Sequence, residues 1–146
     1  MSRIVYVTVL IATLSGGCYL RPAKSTGPLT SAEGVLVVLL GQDCEDHLGA
    51  EGDPVSRDLG LKLNVENPTG HVLQLALKGV QLTVEEYTTV PMGADTIETF
   101  QPGESREVRL DFLHHSACGR DFALTFEHAF GFRERSVQVA ALHFTP

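Results

Sequence analysis

The residue types with chemical reach gather in a few places. His114-His115-Ser116-Ala117-Cys118 sets two imidazoles close to a thiol. Imidazole and thiolate are the donors that zinc and copper favour, so His114 and His115, with Cys118, are the candidate metal ligands. Neighbouring residues on a strand point to opposite faces, so both imidazoles reach one ion only from a turn. Otherwise they are surface histidines at a strand end. His128 and His143 join only if the fold brings them near. The acidic stretch holding Asp43, Glu45, Asp46, Glu51 and Asp53 offers the hard oxygen atoms that calcium takes, but lacks EF-hand spacing. It reads as a solvated charged loop. Hydrolysis needs a serine, a histidine and a carboxylate to converge. No Gly-x-Ser-x-Gly turn frames a nucleophile, and neither a zinc-protease helix motif nor a phosphate-binding glycine loop occurs. Glu85-Glu86 reads as a charge pair at a strand end. Phe130-Gly131-Phe132, followed by Arg133 and Arg135, is expected as a hairpin tip. Aromatics beside arginine are common at protein contacts, which makes Phe130, Phe132 and Arg133 a candidate contact surface.

These residues sit in a chain of 146 residues, the length of one domain. It carries 11 basic and 18 acidic residues, a formal charge of −7. An acidic surface repels phosphate backbones, so nucleic acid is excluded as an expected partner. Anionic lipid head groups would repel it equally, so membrane attachment would have to come from an acyl anchor.

The N-terminus supplies a place for such an anchor. Met1-Ser2-Arg3 is a short basic start, Ile4 to Leu14 is an apolar run, and Ser15-Gly16-Gly17 are small residues. This is the three-part plan of a secretory signal, with an apolar run shorter than the roughly 20 residues a spanning helix needs. Leu14-Ser15-Gly16-Gly17-Cys18 resembles a bacterial lipobox. One departure is that Ser15 stands third before the cysteine, with the leucine one step earlier. The resemblance implies cleavage before Cys18, diacylglycerol and acyl groups on its thiol, and no other cofactor. Tyr19 in place of aspartate resembles an outer-membrane sorting signal rather than inner-membrane retention. The expected organisation is a signal peptide over 1–17, a lipidated tether over 18–33 and a domain over 34–146. Pro22, Gly27, Pro28 and several Ser/Thr without periodicity mark the tether.

Export bears on the other two cysteines. If Cys18 is acylated, Cys44 and Cys118 remain as an even pair in an oxidising compartment, where a disulfide is expected. Such a bridge would take Cys118 away from any metal.

The elements that must position all this read as strands. Val35 to Leu40 is a continuous apolar run bounded by glycines, expected as a strand covered on both faces. Gln42 to Asp58 reads as a loop. Leu59, Leu61, Leu63 and Val65 alternate with polar neighbours, and Asn67-Pro68-Thr69-Gly70 then forms a turn. Leu73, Leu75 and Leu77 alternate on odd positions, and Val80, Leu82 and Val84 on even ones. A β-bulge at Gly79 would restore the face. Pro91 to Asp95 and Gln101-Pro102-Gly103-Glu104 are further turns. Val108, Leu110 and Phe112 alternate, as do Phe122, Leu124 and Phe126. Val137 to Phe144 reads as one closing strand. No sustained helical stripe appears.

Turn signals between about seven short strands favour an antiparallel sandwich. Leu61 to Pro68, the hairpin that follows, and Phe100-Gln101-Pro102-Gly103-Glu104-Ser105 are similar to immunoglobulin-like or fibronectin-like envelope domains and to water-stress domains. The expected fold is all-β, a single antiparallel immunoglobulin-like β-sandwich. The resemblance implies no activity. The expected function is a non-enzymatic, lipid-anchored cell-envelope module that binds another envelope protein or serves structurally. The alternative is a metal-handling lipoprotein using the His/Cys cluster.

Overall fold

The computed structural model of the chain describes residues 29–48, 54–113 and 120–144. Their regular structure is antiparallel β, with one 3₁₀ turn at Leu77–Gly79. The strands are β1 (Leu29–Thr30), β2 (Leu36–Leu48), β3 (Pro54–Glu66), β4 (Leu73–Ala76), β5 (Val80–Val84) and β6 (Tyr87–Thr89). They continue as β7 (Ile97–Phe100), β8 (Ser105–Leu113), β9 (Phe122–Phe126), β10 (Phe130–Phe132), β11 (Arg135–Val137) and β12 (Leu142–Phe144). They form three four-stranded sheets, ordered β1-β2-β3-β8, β11-β10-β4-β7 and β12-β9-β5-β6.

The all-β, antiparallel expectation holds. The single sandwich of about seven strands does not: among the described residues there are twelve strands in three sheets. Alternating runs that read as one strand are broken at corners, and each half joins a different sheet. Leu73 to Val84 is the clearest case. In place of a bulge at Gly79, the 3₁₀ turn carries the chain from β4 to β5. Leu77 and Val80, three residues apart, both point inward, so the face is kept while the parity changes. The partner strands break at the same place. β9 pairs with β5, β10 pairs with β4, and Glu127 to Ala129 turns the corner with His128 at φ 54°. The Ala76 amide donates to the Ala129 carbonyl at 2.8 Å. A Cβ on Gly79 would lie 2.6 Å from the Glu127 carbonyl oxygen and 2.7 Å from Ala129 Cα. The glycine is required by that close approach of two backbones.

The core is one cluster drawn from all three sheets. Leu59, Leu61, Leu63 and Val65 of β3 are fully buried, and Val108, Leu110 and Phe112 of β8 stand beside them in register. Leu73, Leu75, Leu82, Leu124 and Leu142 come from the other two sheets. Each buried aliphatic side chain contributes about 1.5–3 kcal/mol relative to exposure.

Three local readings change. Val35, Val37 and Leu39 are buried, but Leu36 and Val38 are half-buried and Leu40 is 43% exposed. The run is therefore covered on one face, and Leu40 falls at the register slip between Leu39 and Gly41. Residues 42–58, read as a loop, largely continue the β2–β3 hairpin, with Gln42 opposite Leu61 and Glu45 opposite Asp58. Polar residues on the strands hide the period-two signal there. Val137 to Phe144 is two strands in two sheets, β11 and β12. At the other end, Leu29 and Thr30, in the stretch read as tether, pair with Val37 and Leu36. The Ser31 hydroxyl accepts the amides of Glu33 and Val35, fixing the turn into β2.

Candidate binding groove

One buried polar residue organises the loops at one end of the molecule. Asn67 follows β3 and is fully buried. Its Nδ2 lies within donating distance of three carbonyls: His71 at 2.8 Å, Gln101 at 3.1 Å and Phe100 at 3.2 Å. Its Oδ1 accepts the Thr69 hydroxyl at 2.6 Å and the Thr69 amide at 3.2 Å. The Asn67 main chain adds two more bonds, to Gly103 and Glu104. One side chain thus welds the 67–71 turn to the 101–104 turn. A buried amide is stable here because its polar atoms are matched. Pro102 and Gly103 at φ 77° give the second turn its shape, closed by the Glu104 amide on the Gln101 carbonyl.

The β10–β11 hairpin stands against these two turns. Phe132 pairs with Arg135, so the loop is only Arg133 and Glu134. Arg133 has φ 53°, a conformation that favours glycine and costs an arginine about 1–2 kcal/mol. The Phe132 ring meets the His71 ring edge-on at 6.2 Å. Arg135 lies 3.6 Å from Glu33, tying the hairpin to the turn before β2. Between the welded turns and the hairpin runs a groove of about 490 Å³. Val72, Pro102 and Phe132 form its apolar part, and His71, Arg133 and Arg135 its polar part.

Elsewhere among the described side chains, arginine is neutralised. Arg106 binds Glu98 and Glu104, and Arg120 binds Glu85. Arg109 sends Nη1 and Nη2 to Asp43, at 3.0 and 3.2 Å, and Nε to Asp111 at 2.8 Å. The hydrogen bonds to Asp43, then to Asp111, raise its pKa above the ordinary arginine value. Among the arginines with described side chains, Arg133 alone has no acidic partner.

The residues singled out in the sequence are distributed unevenly. Phe132 and Arg133 line the groove. Phe130 is corrected: it is 1% exposed, packed in the core against Phe126 with ring centres 5.4 Å apart. Cys44 lies exposed on β2 opposite Leu59. Its expected partner Cys118 lies outside the described residues, as do Cys18, His114 and His115. Among the described residues no three His, Cys, Asp or Glu side chains are grouped to hold a metal, and no helix is long and apolar enough to cross a membrane. His128 faces Ser136 at 3.4 Å, and His143 is exposed on β12. Of the acidic stretch, Asp43 is a strand residue paired with Arg109.

Sequence reasoning missed Asn67, His71, Val72 and Pro102 as groove residues. Their signal was the two turn motifs, Asn-Pro-Thr-Gly and Gln-Pro-Gly-Glu, which read as punctuation and are in fact bonded to each other.

Comparison with known proteins adds to the fold. No family model matches the chain, and no curated protein matches it. Among solved structures, it is similar to a functionally unknown protein from Listeria monocytogenes EGD-e. The TM-score is 0.57 at 10% identity, over 87% of this chain and 85% of that one. At that identity the likeness shows a shared fold and carries no activity.

Proposed function

We propose that this chain is a non-enzymatic cell-envelope lipoprotein, anchored through Cys18, that binds another envelope protein. The groove is the observation that carries the binding part. It is built on rigid support, combines an apolar floor with unneutralised charge, and holds Arg133 in a strained backbone. Strain of this kind concentrates at functional sites. The anchor rests on the lipobox-like segment Leu14 to Cys18. The outer membrane is the proposed destination, a Cys44–Cys118 bridge is the proposed pairing, and the kinship with immunoglobulin-like envelope domains belongs to the same reading.

Labelled fatty acid fed to cells should enter the wild-type chain and not Cys18→Ala, which should leave the membrane fraction. Unlabelled wild-type protein would end the lipoprotein reading. A photo-crosslinker at Val72, in the groove lining, should trap one envelope protein repeatedly, whereas one at Glu107 on the β8 face should not. Equal trapping at both positions would remove the groove from its proposed role.

A further inference from the structure

Resting on that binding role, we infer that the groove takes an acidic peptide segment of its partner, with an apolar side chain beside the carboxylate. Arg133 receives the carboxylate, and Phe132, Pro102 and Val72 receive the apolar side chain.

The charge pattern motivates this assignment. The chain has an excess of acidic residues, and its other arginines with described side chains have found one. Arg133 has not, although Glu134 is its neighbour in sequence. The two-residue loop puts Arg133 in the groove lining, and the planar fork of a guanidinium matches a carboxylate. Arg135 and His71 stand in the same lining, and no carboxylate does. The apolar half selects among anions. Free phosphate would use the arginines and leave Phe132, Pro102 and Val72 idle. A bilayer or a nucleic acid would bring extended negative charge against a molecule of charge −7. A short peptide brings one local charge and an apolar group together.

The backbone at Arg133 makes the inference separable from folding. Glycine and asparagine both accept a positive φ, so Arg133→Gly and Arg133→Asn remove the guanidinium and keep the loop. Their melting temperatures should equal or exceed the wild-type value.

The test uses the full chain in detergent micelles and a fluorescein-labelled Leu-Phe-Asp-Glu peptide. The controls are its Leu-Phe-Asn-Gln twin, inorganic phosphate and phosphatidylglycerol vesicles. Fluorescence anisotropy gives affinity, and amide shifts of Gly70, His71 and Phe132 give location. The acidic peptide should bind about tenfold more tightly than its twin and shift those amides. Both Arg133 variants should erase the tenfold preference while melting no lower than wild type. Equal binding of both peptides, with the groove amides shifted, would overturn carboxylate recognition and leave the groove as a binding site. Unshifted groove amides with either peptide would overturn both readings. Displacement of the peptide by phosphate or by vesicles would overturn the peptide in favour of a free anion or a lipid head group. Variants that melt well below wild type would make Arg133 a structural residue and overturn its assignment as the carboxylate receiver.

Discussion

Arg109 and Arg133 differ in what strand register does with their charge. On β8, Arg109 stands opposite Lys62 of β3, and its side chain reaches across to the neighbouring row, over Gly60 of β3 to Asp43 of β2. Register sets Asp43, Gly60 and Asp111 in one row. The missing side chain at Gly60 opens the path by which Asp43 reaches the guanidinium. A Cβ there would lie 2.0 Å from Asp43 Oδ1 and 2.6 Å from Arg109 Nη2. Arg133 sits in a two-residue loop, where no strand neighbour places a carboxylate across from it. A charge inside a ladder is answered by the ladder. A charge at a loop is answered only if another loop approaches, and here the approaching loops bring carbonyls, a proline and an imidazole.

The sharpest way to break this contrast is to loosen the frame of the groove end. Asn67→Ala leaves the carbonyls of His71, Phe100 and Gln101 without their common donor. It should destabilise by about 3 kcal/mol, read as a lower urea midpoint at unchanged slope. A loss below about 0.5 kcal/mol would show that the two turns hold without the weld.

Gly79→Ala comes next. The new methyl would strike the backbone of Glu127 and Ala129, just before β10, and backbone has nowhere cheap to go. Overpacking of this kind costs about 2 kcal/mol. Urea unfolding should show that loss, and the Phe132 and Arg133 amides should shift although neither residue was touched. An unchanged midpoint would mean that the corner is looser than its contacts indicate.

Gly60→Ala meets side-chain ends instead, so its cost should stay within about 1 kcal/mol, part of it returned because alanine suits a strand better than glycine. A loss above about 2 kcal/mol would mean that the Asp43–Arg109 fork carries the sheet. Smallest of all is Arg109→Ala. Its side chain is 50% exposed, and exposed pairs contribute about 0–1 kcal/mol. The variant should lose part of the stability's response to salt between low and high ionic strength. Undiminished salt dependence would place that response elsewhere.

The sequence made the strand positions of β3, β5, β8 and β9 legible, because one wet face leaves a clean alternation. Corners were not legible. Leu73 to Val84 shows a parity change at Gly79, and alternation alone cannot distinguish a bulge from a turn into another sheet. The β2–β3 hairpin was hidden for a different reason: Asp43, Cys44 and Glu45 are strand residues with solvent beside them, so composition spoke for a loop. Of the candidate site, Phe132 and Arg133 were readable from residue type at a hairpin. Asn67 was readable only as a turn residue. Its role depends on carbonyls that lie 33 and 34 positions along the chain, and no local pattern records them.

The sheet orders have one more consequence, for aggregation. A bare strand at the side of a sheet is a template on which another chain can polymerise. Among the described residues, the terminal strands β1, β6, β7, β11 and β12 run for 2, 3, 4, 3 and 3 residues. Only β8, with 9 residues, is a long terminal strand. Its exposed positions carry Glu107 and Arg109 beside Ser105 and Leu113, and the Met92 amide already occupies the Asp111 carbonyl at 2.7 Å. Among the described terminal strands, then, none is both long and uncharged, so copies of this domain crowded side by side find no such template there.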